Sequence, residues 1–198
     1  DTNNDRVQIL SSTGAVLGIL TLPLPAGATV AQPAGVALDP DGNLLVADQS
    51  NSRVLKYDAS GNLLSVLGSS GTLAGRFDKP QGLAVSAAGF IFVADRNNDR
   101  IQKFDRFGNV VAILGQSGKE PGQFNKPTAL ALDAEGRLLV ADTNNGRIQR
   151  LLPGTPAQTV VIVTKPKRVK QPVTTKGGKL KHPGGHKLEI PEGALAQD

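Results

Sequence analysis

Short apolar runs alternate with turn residues along residues 1–152. GVALD at 35–39, LLVAD at 44–48, RVLKYD at 53–58 and LLSVLG at 63–68 are rich in Val, Leu and Ile, with the composition and length of β-strands. Between them, Pro40-Asp41-Gly42-Asn43 and Ala59-Ser60-Gly61-Asn62 read as tight turns, because Gly supplies positive φ and Asp or Asn bonds its own backbone. No stretch carries the three-and-four apolar spacing of a helix. The pattern predicts units of four antiparallel strands.

The units recur. DTNNDR at 1–6, DQSNSR at 48–53, DRNNDR at 95–100 and DTNNGR at 142–147 are spaced by 47 residues. A fixed period of this length marks stacked units, none of which buries its apolar face without neighbours. The two complete units align without insertion: Pro33, Gly35, Val46, Ala47 and Asp58 correspond to Pro80, Gly82, Val93, Ala94 and Asp105. Asp39 to Ser86 is the change of type. A four-stranded antiparallel sheet repeated around an axis is a propeller blade.

The pattern P-x-G-[VL]-A-[LV] followed by G-x-[LI]-[LF]-V-A-D-x-x-N-x-R-[VI]-x-[KR] resembles the NHL repeat over residues 1 to 152. The resemblance implies an all-β fold, a partial β-propeller. Residues 1–20 read as the outer two strands of a blade, two full blades follow, and 127–152 supply three strands. That makes roughly three and a quarter units, fewer than the number that closes a propeller. The chain, which starts at Asp1 and contains no Met, is therefore expected to be a fragment of a longer protein, with apolar faces open at each end.

What recurs in every unit is expected to build the unit, since a single site needs one copy. Asp48, Asn51 and Arg53, with Asp95, Asn98, Arg100 and Asp142, Asn145, Arg147, are read as architectural. They form charge-assisted pairs and bonds to the backbone of the loop joining strands two and three. Function is expected where the copies differ, on the face carrying the second-to-third and interblade connections. Ala34, Gln81 and Thr128 diverge there, as do Gln49, Arg96 and Thr143, with Asp99 and Lys119 beside them. Gln81, Thr128, Gln49, Arg96, Asp99, Thr143 and Lys119 are the candidate contact residues, set against their ordinary role as solvated loop positions. The loop at 21–32 (TLPLPAGATVAQ) departs furthest from the repeat.

Net charge narrows the partner. The chain carries +5, yet residues 1–157 hold 14 Lys and Arg against 14 Asp and Glu, leaving the whole excess in the tail. A nucleic-acid binder places its basic excess on the folded domain, so RNA binding, known among NHL proteins, ranks behind a protein, peptide or glycan partner. Propeller enzymes related by resemblance use channel metals held by His. Residues 1–152 contain no His and the chain no Cys, so no catalytic residue is assigned and no cofactor is expected, with calcium on Asp and backbone oxygens left open. A metal-dependent lyase or hydrolase with its ligands on absent blades is the alternative.

Beyond Leu152 the composition shifts. Residues 153–176 read as a Pro- and Lys-rich linker containing one strand-like run, TVVIVT at 159–164. The pair His182 and His186 brackets Pro-Gly-Gly and reads as a hairpin rather than a zinc site. Residues 177–198 resemble the opening of the β-sandwich module shared by ankyrins and netrin receptors, which implies a modular, secreted or cell-surface protein. No run is long enough to cross a membrane as a helix.

Overall fold

The computed structural model describes residues 1–151, 162–164, 179–181 and 187–189, and the chain divides into two compact units, Asp1–Lys165 and Pro166–Asp198. In the first, β1 (Arg6–Leu10) and β2 (Val16–Thr21) form a two-stranded sheet. Next come β3 (Pro33–Leu38), β4 (Leu44–Asp48), β5 (Arg53–Tyr57) and β6 (Leu63–Leu67), hydrogen-bonded in that order. The same order is repeated by β7 (Pro80–Val85), β8 (Ile91–Asp95), β9 (Arg100–Phe104) and β10 (Val110–Leu114). A third sheet consists of β11 (Pro127–Leu132), β12 (Leu138–Asp142), β13 (Arg147–Leu151) and β14 (Ile162–Thr164). All pairings between neighbouring strands of these sheets are antiparallel, giving a partial propeller. The strand-like run after the last repeat thus supplies a fourth strand, where the repeat alone provides three.

The first two four-stranded sheets each have a neighbour on both sides, which explains the near-continuous apolar runs of their second strands. In β4, Leu45 and Ala47 pack with Leu83, Val93 and Phe104 of the next sheet. Val46 points the other way, into a cluster with Leu22, Leu55 and Tyr57. The period of two therefore fills two cores at once. Phe92, Ala94 and Ile101 repeat the arrangement against Phe124, Leu138 and Val140. At about 25 cal/mol per Å2 of buried apolar surface, this interblade packing is the main stabilising term.

The inner strands β3, β7 and β11 lie side by side, and their spacing demands glycine. A Cβ at Gly82 would sit 2.8 Å from the Ala129 Cα, and one at Gly35 would run into the Gln81 carbonyl. The third unit has Ala129 at this position, exposed, with no further inner strand beside it among the described residues. The two-stranded sheet covers Val46 but not β3, where Val36 and Leu38 are 54% and 65% exposed.

The strand-one-to-two and strand-three-to-four turns behave as their residues dictate. Asp39, Asp58 and Asp105 each accept backbone N–H groups two and four residues ahead, at 2.8–3.0 Å, and Gly42, Gly61 and Gly108 follow with φ of 82–90°. In the second compact unit β15 (Lys179–Lys181) pairs with β16 (Lys187–Glu189). The basic stretch at 165–176 and both histidines lie outside the described residues. No described helix is long and apolar enough to cross a membrane.

Candidate functional site

The repeated Asp is the centre of each unit's polar scaffold. Asp48, Asp95 and Asp142 end the second strand and are fully buried. Asp95 Oδ2 accepts Arg100 Nε at 2.7 Å and Gln102 Nε2 at 2.9 Å, while Oδ1 accepts the Asp78 backbone N–H at 2.8 Å. Asp142 does the same with Arg147 (2.6 Å), Gln149 (2.7 Å) and the Asn125 N–H (2.7 Å). Asp48 takes Arg53 at 2.9 Å and the Gln32 N–H at 3.1 Å.

The loop these groups hold is not the one joining strands two and three. Asn98 and Asn145 donate to the carbonyls of Gly71 and Gly118. Arg100 donates to those of Leu73 and Arg76, and Arg147 to those of Lys119, Glu120 and Gln123. All of these carbonyls belong to the interblade connection. It is long, and beyond the Ser70–Phe77 and Ser117–Phe124 bridges within it many of its backbone groups lack a strand partner, so side chains satisfy them.

Two recurring features of the scaffold lie outside the Asp-x-x-Asn-x-Arg element. Gln102 and Gln149, both buried, donate to the carbonyls of Arg76 and Gln123 and accept the N–H of Gly75 and Gly122. Phe77 and Phe124 fill the same loops and are fully buried. The recurrence of Gln seven residues after the repeated Asp, at Gln8, Gln102 and Gln149, was the available signal. In the first complete unit Leu55 and Val30 stand in their places, and it is there that the loop at 21–32 departs from the others.

The candidate contact residues lie on the face built by these connections, and most are already engaged with one another. Gln81 Nε2 donates to Gln49 Oε1 at 2.9 Å, tying the second unit's inner strand to the first unit. Thr128 and Thr143 share a hydroxyl contact of 2.6 Å. Arg96 Nη1 donates to Asn97 Oδ1 at 3.0 Å, and Lys126 Nζ reaches the same oxygen at 3.3 Å. Both oxygens of Asp99 are occupied, by the Lys126 N–H at 2.8 Å and the Ser117 hydroxyl at 2.7 Å. Lys119 is exposed, and its carbonyl accepts from Arg147. Asp99 closes its turn in the left-handed region (φ 53°), where the third unit uses Gly146. Asn97 and Lys126, absent from the candidate set, belong to the same network.

Among the described residues no three His, Cys, Asp or Glu side chains are grouped as a metal site. A small cleft on the opposite face is lined by Asp39, Asp41, Lys56 and Arg106. Asp39 and Lys56 are paired there at 2.8 Å.

The NHL repeat model matches residues 30–57, 77–104 and 124–151. No curated protein matches. Among solved structures, a protein of unknown function from Bacteroides caccae is 18% identical, with a TM-score of 0.61 over 84% of this chain and 56% of that one. The virginiamycin B lyase of Staphylococcus aureus is 13% identical, TM-score 0.58, covering 94% and 63%. A catalytically inactive His-to-Ala variant of that lyase with quinupristin is 12% identical, TM-score 0.57, covering 97% and 64%. The chain thus spans 56–64% of the length of these structures. At such identities the likeness speaks to fold alone. No comparison supports the ankyrin and netrin-receptor resemblance of residues 177–198. Three units of the chain thus match the NHL repeat model, within a propeller-like fold.

Proposed function

We propose that this chain is a non-catalytic binding scaffold that presents its variable connections to a protein, peptide or glycan partner, as one part of a modular extracellular protein. The observation that carries the reading is a division of labour on a single face. The recurring Asp, Asn, Arg and Gln side chains are consumed in holding the interblade loops, so the scaffold is rigid and these groups are not available for chemistry. The differing positions Gln49, Gln81, Arg96, Thr128 and Thr143 share the same rim and bond with neighbours on it rather than with the Asp-centred network, the usual setting of a binding surface.

A lyase is the second reading, favoured by the fold shared with virginiamycin B lyase. Against it stands residue chemistry: an alanine in place of one histidine accompanies loss of catalysis in that enzyme, and residues 1–151 here contain no His.

Peptide and glycan arrays probed with the intact chain test the scaffold reading. Saturable binding is expected, abolished by combined Gln81→Ala, Arg96→Ala and Thr143→Ala, and unaffected by Arg106→Ala on the opposite face. Binding insensitive to the rim substitutions, or lyase activity of the chain on quinupristin, overturns it.

A further inference from the structure

The rim contains one place where two cations meet without a carboxylate between them. Arg96 Nη1 and Lys126 Nζ converge on the Asn97 amide oxygen, at 3.0 and 3.3 Å. That oxygen is neutral, and among the described residues neither cation has a carboxylate oxygen within 4.0 Å. The nearby acids are diverted. Asp78 accepts Asn97 Nδ2 at 2.9 Å, which also fixes the amide so that its oxygen faces the cations. Asp99 is bound to the Lys126 N–H and Ser117. A guanidinium carries five N–H donors and an ammonium three, so each has donors beyond the one engaged by Asn97.

The arrangement occurs once in the repeat. The position of Arg96 is occupied by Gln49 and Thr143 in the other units; that of Lys126 is Lys79 in the second unit and Gln32 in the first, so the Lys recurs but its meeting with an Arg does not. A structural pair would be expected in each copy, as the Asp and Arg pairs are. Both cations are half-buried, so an anion seated between them is partly shielded from water and its charge-assisted bonds are strengthened.

Resting on the scaffold reading above, we propose that Arg96 and Lys126 form the recognition point for a side-chain carboxylate of an acidic peptide. Charge selects the ligand. Asp78 and Asp99 balance the two cations in total charge, so the cluster has no surplus to hold a dianionic phosphate, and its unengaged donors suit a singly charged carboxylate. The neutral total of residues 1–157 provides no track for a polyanion. The flanking groups suit peptide backbone: Gln81 follows Pro80, which pairs with Asp95 beside Arg96, and Thr128 lies two residues beyond Lys126. Their amide and hydroxyl groups donate and accept.

The test is an NMR titration of the full chain, following the Arg96 Nε–H and Lys126 side-chain resonances. The probes are the capped pentapeptide Gly-Gly-Glu-Gly-Gly and its Gln counterpart. The expected result is a saturable shift with the Glu peptide and affinity roughly tenfold weaker with Gln, the loss of charge-assisted hydrogen bonds. Arg96→Gln and Lys126→Gln should each weaken Glu-peptide binding by a similar factor while backbone spectra stay native, and Lys79→Gln should leave it unchanged. No shift at Arg96, equal affinity for the two peptides, or equal loss on Lys79→Gln overturns the proposal. So does displacement by inorganic phosphate at lower concentration than acetate, or tighter binding of an RNA octamer with steep salt dependence. Should neutral peptides or glycans bind this rim independently of Arg96, the scaffold reading stands and the carboxylate assignment falls.

Discussion

Gln102 donates its side-chain N–H to the carboxylate of Asp95 at 2.9 Å in the centre of the second blade, and both side chains are fully buried. The same amide accepts the Gly75 N–H and donates to the Arg76 carbonyl. One residue thereby couples a blade's charged centre to the loop that delivers the chain from the preceding blade.

Replacing Gln102 by Leu leaves the Gly75 N–H without its acceptor and should cost about 1–3 kcal/mol. Leu55→Gln, the reverse change in the preceding unit, buries an amide among Leu22, Ala31 and Val46 and should destabilise as well. Thermal melts of the two variants check this: both midpoints are expected to fall, and a rise in either refutes the pairing logic.

Asp95→Ala removes the acceptor for Arg100, Gln102, Asn98 and the Asp78 N–H together. Loss of one partner from a buried pair costs about 3–5 kcal/mol, a large share of a domain's stability. Urea unfolding should show the midpoint moving accordingly. Asp58→Ala, in an exposed turn, is expected to move it far less.

Gly82→Ala places a methyl 2.8 Å from the Ala129 Cα and 2.9 Å from the Leu130 N. Neither backbone atom can rotate away, so the inner strands must separate, at about 1–3 kcal/mol. Gly136→Ala, where a Cβ meets nothing within 4 Å but φ is +74°, supplies a comparison limited to backbone strain. Hydrogen exchange on β7 and β11 should rise in the first variant only.

Burial pushes the Asp39 carboxyl up, but the Lys56 ammonium at 2.8 Å and the donors of Asn43 outweigh it and hold the pKa at about 2, below the ordinary 3.8. A carboxylate depressed in the folded state adds stability above its unfolded pKa, and that stability is lost as pH falls from 3.8 towards 2. Lys56→Gln should raise the Asp39 pKa, read from its carboxyl carbon shift, and shrink the acid sensitivity in this window. An unchanged titration would assign the depression to Asn43 alone. The second unit replaces this Asp with Ser86, whose hydroxyl accepts the Phe90 N–H at 3.1 Å, so the turn survives there without the ion pair.

Much of the blade is legible in one dimension because its determinants are local. Alternation in GVALD and LLVAD reports strands, Asp-x-x-Gly-Asn reports a turn whose donors lie two and four residues away, and the 47-residue period reports stacking. The pairing of Asp48, Asp95 and Asp142 with the Arg five residues on is local too. Other features depend on partners distant in sequence. Asp95 meets the Asp78 N–H, Asn98 the Gly71 carbonyl and Arg96 the side of Lys126 through Asn97, separations no short-range pattern encodes.

The amino-acid order alone therefore determined an all-β repeat, its unit and its turn chemistry, since these follow from backbone propensity and contacts within a few residues. Tertiary structure decided which loop the recurring polar groups hold, that Ile162–Thr164 completes the third sheet, and that Gly82 is required where Ala129 is tolerated. Each of those depends on how closely one sheet approaches the next, a distance set by packing between units rather than by any residue's own preference.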